Sequence, residues 1–165
     1  MIKITLTSSD ARNLSEIADS LSQGLEDVLL AVGTEMTGYV MEDFEAKSRG
    51  GSGADGTQWK PLDPKTIKRK AKRAKGGNTQ TQIGVDTGLM RASAMPGLAS
   101  QAAENAAPIE IQGNEVTVGF RRRYSKYFDK SRTLIPDPIP QEWVDAAEEI
   151  VEQWVTDLWN QRIKP

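Results

Sequence analysis

Residues 109–120 read IEIQGNEVTVGF, two short alternating apolar runs around a glycine-asparagine pair. A Gly113-Asn114 turn makes it a hairpin, with Ile111 opposite Val116 and Ile109 opposite Val118. These four branched apolar residues share one face, while Glu110, Gln112, Glu115 and Thr117 take the other. Such a ribbon covers a core with its apolar side and meets water with its polar side.

Upstream, Leu14, Ala18, Leu21, Leu25, Val28, Val32, Met36 and Tyr39 recur at steps of three and four, with Ile17, Leu29 and Val40 widening the stripe. That period predicts one long helix, preceded at Ser8–Asn13 by turn and capping residues. Running to Lys47 it would span roughly 50 Å, more than a compact domain of this size needs for its own core. Gly24, Gly33 and Gly38 are the places where it would kink or break. Before it, Ile2, Ile4 and Leu6 alternate with Lys3, Thr5 and Thr7, the period of a strand with one buried face.

Between helix and hairpin, residues 49–57 (RGGSGADGT) carry too many glycines for regular structure and read as a mobile loop, as do residues 76–84. Trp59 and Leu62 supply an apolar anchor. Asp63-Pro64 is a helix start, because the carboxylate caps free amides and proline loses nothing in the first turn. Asp86-Thr87 is a second such signal, opening a short helix with Leu89, Met90 and Ala94.

Downstream of the hairpin come a basic and aromatic segment, Arg121 to Phe128, and a linker that Pro136, Pro138 and Pro140 hold extended. The last helix opens at Gln141 or Glu142. Trp143, Ala147, Ile150, Trp154 and Leu158 form its stripe, with Val151 and Val155 beside it. The whole predicts one α+β domain over residues 1–165. Its small antiparallel or mixed sheet, made of the N-terminal strand and the hairpin, packs against the long N-terminal helix and the C-terminal helix.

Composition narrows the chemistry. The 165 residues contain neither cysteine nor histidine, which removes disulfides, thiolate nucleophiles, ordinary zinc sites and histidine general bases. The apolar share is only 38%, a value that suits solvated segments or surfaces covered on assembly. No apolar run reaches the length of a membrane span, and the first residues lack a secretory signal's basic and apolar regions. No membrane partner and no cofactor is expected.

Net charge is −2, yet the charges are segregated. In Lys65–Lys75 (KTIKRKAKRAK) seven of eleven residues are basic, whereas the last helix is acidic from Glu142 to Asp157. A basic run can neutralise phosphates, and Arg121-Arg122-Arg123 followed by Tyr124, Tyr127 and Phe128 can add stacking rings. The plainer reading of both segments is a solvated or subunit-contacting face, with the acidic helix of a neighbour as one partner for the basic run. Asp43, Glu45 and Lys47 have the spacing of a metal-nuclease motif, but residues two apart do not share a helix face. Glu148, Glu149 and Glu152 read as the wet side of an amphipathic helix. Neither a serine-hydrolase elbow nor a phosphate loop is present. Trp143 and Trp154 suit either core or interface, and Trp159, off the main stripe, suits a partner contact.

One resemblance adds to this. Gly56 is followed by Trp59, Leu62 and Thr66, then by a basic segment, then by Thr87, Gly88, Leu89 and Arg91. Val116, Val118 and Gly119 end a strand, and Tyr124 and Tyr127 follow. This order resembles the virion morphogenesis, or tail-completion, family of tailed bacteriophages. The sequence DPIPQEW stands where that family frequently has Arg-Pro-Phe.

The resemblance implies a non-enzymatic structural protein of the virion, made in the host cytoplasm, at the head–tail neck or the head-proximal end of the tail. It implies a ring of identical copies, hexameric or dodecameric, against neighbouring neck, connector or tail-tube proteins, with DNA passing through the channel. The subunit-interface candidates are Lys68, Arg69, Lys72, Arg91, Arg121, Arg122 and Trp159. A DNA-binding or DNA-packaging accessory protein acting through residues 65–75 is the rival reading.

Overall fold

The structure, a computed structural model, describes residues 8–73, 82–85, 109–120 and 125–162. The strand expected at Ile2–Leu6, the helix expected after Asp86 and most of the loop 76–84 lie outside them. The described elements are helices α1 (Ser8–Ser48) and α2 (Pro64–Arg73), strands β1 (Ile109–Gln112) and β2 (Glu115–Val118), and helices α3 (Ser125–Asp129) and α4 (Gln141–Arg162). This is the α+β layout, with a two-stranded antiparallel sheet on a long N-terminal helix and a C-terminal helix.

Helix α1 is longer than its sequence period implies. It already includes Ser8–Asn13, read above as turn and cap, because serine and aspartate suit a first helical turn as well as the position before it. Its 41 residues correspond to about 60 Å. The glycines inside it do not end it. Gly24 and Gly33 are sites of close approach, where another element occupies the space of the missing side chain. At Gly24 that element is α4, whose Trp154 Nε1 lies 2.9 Å from where a Cβ would stand. At Gly33 it is the hairpin, through Ile109 and Val116.

The hairpin has the register its alternation implies, with Ile109 paired to Val118 and Ile111 to Val116. Gly113 takes φ +62°, a left-handed turn conformation that glycine adopts without steric cost. The apolar face is half-buried on α1, and Glu110, Gln112, Glu115 and Thr117 are exposed.

Helix α4 runs antiparallel to α1. Trp143, near its start, is buried and stacks on Tyr39 at a centroid distance of 5.6 Å. Trp154, further along, reaches back to Gly24. The two helices form a stalk. At its Tyr39 end sits a compact head whose core is Phe44, Trp59, Ile83, Val85 and Leu134, flanked by Met41, Leu62, Phe120, Phe128 and Ile135. Trp59 meets Phe44 and Phe128 edge-on, at 5.4 and 5.2 Å, and its Nε1 donates to the Thr133 carbonyl at 3.0 Å. The indole N–H thus has a partner, as a buried tryptophan requires.

Candidate interaction surface

Helix α2 begins as its sequence implies. The Asp63 carboxylate accepts from the Lys65 amide at 2.7 Å, and the Asp63 carbonyl accepts from the Ile67 amide at 3.1 Å. At 100° per residue, Lys65, Lys68, Arg69 and Lys72 project from one side of the helix, and all four are exposed. Lys70 points the other way. It is buried, and its ammonium donates to the carbonyls of Gln82 and Val85. The Ile83 amide in turn donates to the Ser48 carbonyl at 2.8 Å. One inward lysine therefore ties α2 to the C-terminal end of α1 and leaves four cations facing water.

The segment after α1 is held by an ion cluster. Lys47 and Asp43, one helical turn apart and with fully buried side chains, pair at 2.9 Å, and Lys47 also meets Asp55 at 3.1 Å. Asp43 Oδ1 accepts from the Ala54 amide at 2.7 Å. Gly53 packs directly on the side chains of Lys47 and Asp43, in space that no Cβ could share. Residues 49–57 thus have no regular structure beyond a single bridge between Ser52 and Gln58, yet they are fastened at defined points. Burial works against the charged form of Asp55. Hydrogen bonds from the Thr57 hydroxyl and amide, with the Lys47 ammonium, outweigh it and hold the carboxyl below its ordinary 3.8.

Sequence spacing offered Asp43, Glu45 and Lys47 as a triplet, but the structure separates them. Asp43 and Lys47 turn inward together, whereas Glu45 pairs with Arg49 at 3.1 Å. The signal that finds this cluster is the four-residue spacing of Asp43 and Lys47. Among the described residues no group of three acidic side chains is placed to hold a metal ion. No described helix is long and apolar enough to cross a membrane.

On α4 the apolar residues cover about half the circumference, and α1 takes only one side of that arc. Trp143 is 3% exposed and Trp154 is half-buried, but Val151, Val155 and Trp159 are 40%, 46% and 57% exposed. These three stand at steps of four residues and form a single line. Glu148 and Glu152 border it. The stalk's other carboxylates, including Glu26, Asp27, Glu35 and Glu42 on α1 and Asp145 and Glu149 on α4, are distributed over the remaining surface. A cleft of about 460 Å³ between α1 and α4 has Tyr39, Ala146 and Ile150 as its apolar lining and Glu35 and Glu149 as its acidic residues.

Of the interface candidates, Lys68, Arg69 and Lys72 are brought together on α2, and Trp159 stands on the uncovered line of α4. Arg91, Arg121 and Arg122 lie outside the described residues. The uncovered line itself was not resolved by the sequence, because Val151 and Val155 look like the flank of a single stripe until the position of α1 is known. No family model, curated protein or solved structure matches the chain.

Proposed function

We propose that the chain is a non-enzymatic structural subunit that assembles with copies of itself into a ring at the neck or tail end of a tailed bacteriophage particle. The observation that carries the reading is the line Val151, Val155 and Trp159, apolar and open to water on a helix whose other apolar side is covered. An exposed aromatic flanked by aliphatic residues and edged with carboxylates has the make-up of a protein contact. The order of motifs from Gly56 to Tyr127 supports the phage assignment, and the absence of cysteine and histidine agrees with a role that is geometric. In such an assembly the subunit acts by shape: copies repeat one contact around an axis, and the ring presents its faces to the neighbouring neck or tail proteins.

The test is to purify particles of a phage that encodes the chain and image the neck. The proposal expects the chain in stoichiometric amount as a ring. Particles complete without it would overturn the reading.

The second reading, a DNA-binding or packaging accessory protein, is favoured by one observation, the four exposed cations on one side of α2. It requires affinity for duplex DNA that falls steeply with salt and is lost when Lys68, Arg69 and Lys72 are reversed in charge. Salt-insensitive or absent binding removes it.

A further inference from the structure

Among the described residues, the exposed cations of α2 and the exposed apolar line of α4 are surfaces of opposite character, and they stand far apart along α1. Helix α2 is tied through Lys70, residues 82–85 and Ser48 to the C-terminal end of α1. The Val151, Val155 and Trp159 line belongs to the part of α4 that packs near Gly24. Between Gly24 and Ser48 the helix rises about 35 Å. The two surfaces of one chain therefore do not cover each other.

They are nevertheless complementary. Lysine and arginine carry long alkyl stems that lie along apolar surface while their charged ends reach past it. A row of four such side chains fits a narrow apolar line bordered by Glu148 and Glu152, with the stems over Val151, Val155 and Trp159 and the cations on the carboxylates. Arginine also stacks on an indole face. Duplex DNA would satisfy the cations of α2 but leave the apolar line of α4 in water, whereas a second copy of the chain covers both.

We infer that the cationic side of α2 in one copy docks on the Val151, Val155 and Trp159 line of α4 in a second copy, with Glu148 and Glu152 as the ionic partners. This rests on the ring-subunit reading and names its contact. Each copy offers one surface of each kind, so the contact is head-to-tail and repeats from copy to copy, as ring closure requires. The ion pairs set orientation and encounter rate, and the tryptophan supplies the anchor.

Sedimentation equilibrium of the full chain in four charge versions tests this. K68E/R69E/K72E and E148K/E152K each place like charges across the contact, and each is expected to weaken self-association by at least about tenfold. The chain carrying all five changes restores opposite charges and is expected to return to near wild-type association. W159S, which leaves every charge in place, is expected to weaken it as well. All substituted side chains are exposed, and circular dichroism checks that the helices persist. Five-fold substituted chain no better than its halves, or halves that associate as the wild type does, would overturn the contact while leaving the ring reading intact. A wild-type chain that never self-associates would overturn both.

Discussion

Gly33 and Ile109 approach so closely that a Cβ on the glycine would stand 2.7 Å from Ile109 Cγ2, and 2.9 Å from Val116 Cγ2 of the same hairpin face. The absence of a side chain on α1 is what lets the ribbon lie flat on the helix. Gly38, five residues on, has nothing within 4 Å of the same position.

The two glycines therefore predict different outcomes for one substitution. G38A is expected to stabilise the fold by about 1 kcal/mol, the difference in helix propensity. G33A gains the same propensity but forces the hairpin away, and overpacking of this kind costs about 1–3 kcal/mol, so the net change is destabilising or near zero. Urea denaturation of both variants measures the pair.

The Lys47 cluster predicts a large asymmetric effect. K47A takes the ammonium partner from the buried Asp43 carboxylate, and removing one member of a buried pair costs about 3–5 kcal/mol. G53A acts on the same cluster by sterics alone, since its new methyl group collides with Lys47 and Asp43. Thermal unfolding is expected to show both variants well below the wild type, and a K47A chain as stable as the wild type would mean that the cluster does not hold the loop.

Asp55 gives this loop a pH dependence. Its carboxyl is held below the ordinary 3.8, so the folded state favours the ionised form and the unfolded state binds the proton more readily. The resulting stabilisation is present at neutral pH and above 3.8, and is lost as pH falls from there through the folded value. The difference in unfolding midpoint between wild type and D55N is thus expected to be constant from pH 7 to about pH 5 and to shrink below 3.8.

Lys70 predicts a local change. K70M keeps the stem but removes the donor that satisfies the Gln82 and Val85 carbonyls. Leaving the buried Val85 carbonyl without this partner costs about 1–3 kcal/mol. Hydrogen exchange is expected to rise in α2 and at Ile83, whose amide bonds to Ser48, with α4 unchanged.

The parts legible in the sequence are those governed by near neighbours. Gly113-Asn114 with strict alternation specified the hairpin's register, Asp63-Pro64 the start of α2, and the three-and-four spacing the existence of α1 and α4. What escaped depends on residues distant in the chain. Gly24 and Gly33 read as weak points because propensity sees only the helix, whereas their reason lies in Trp154 and Ile109. Asp43 and Lys47 are a recognisable pair, but nothing local says that Asp55 completes it or that the cluster fastens a glycine-rich loop. The same holds for the interaction surface. The basic and acidic segments are plain in the sequence, but the division of α4's apolar arc into a covered and an uncovered side follows only from the seat of α1 against Trp143 and Trp154.

On the proposed function, the uncovered side of α4 is closed by other copies of the chain. Native mass spectrometry of the purified wild-type protein over a range of concentrations tests it most directly. A closed multiple of the single-chain mass is expected, with W159S shifting the distribution toward single chains. A mass of one chain at every concentration would contradict it.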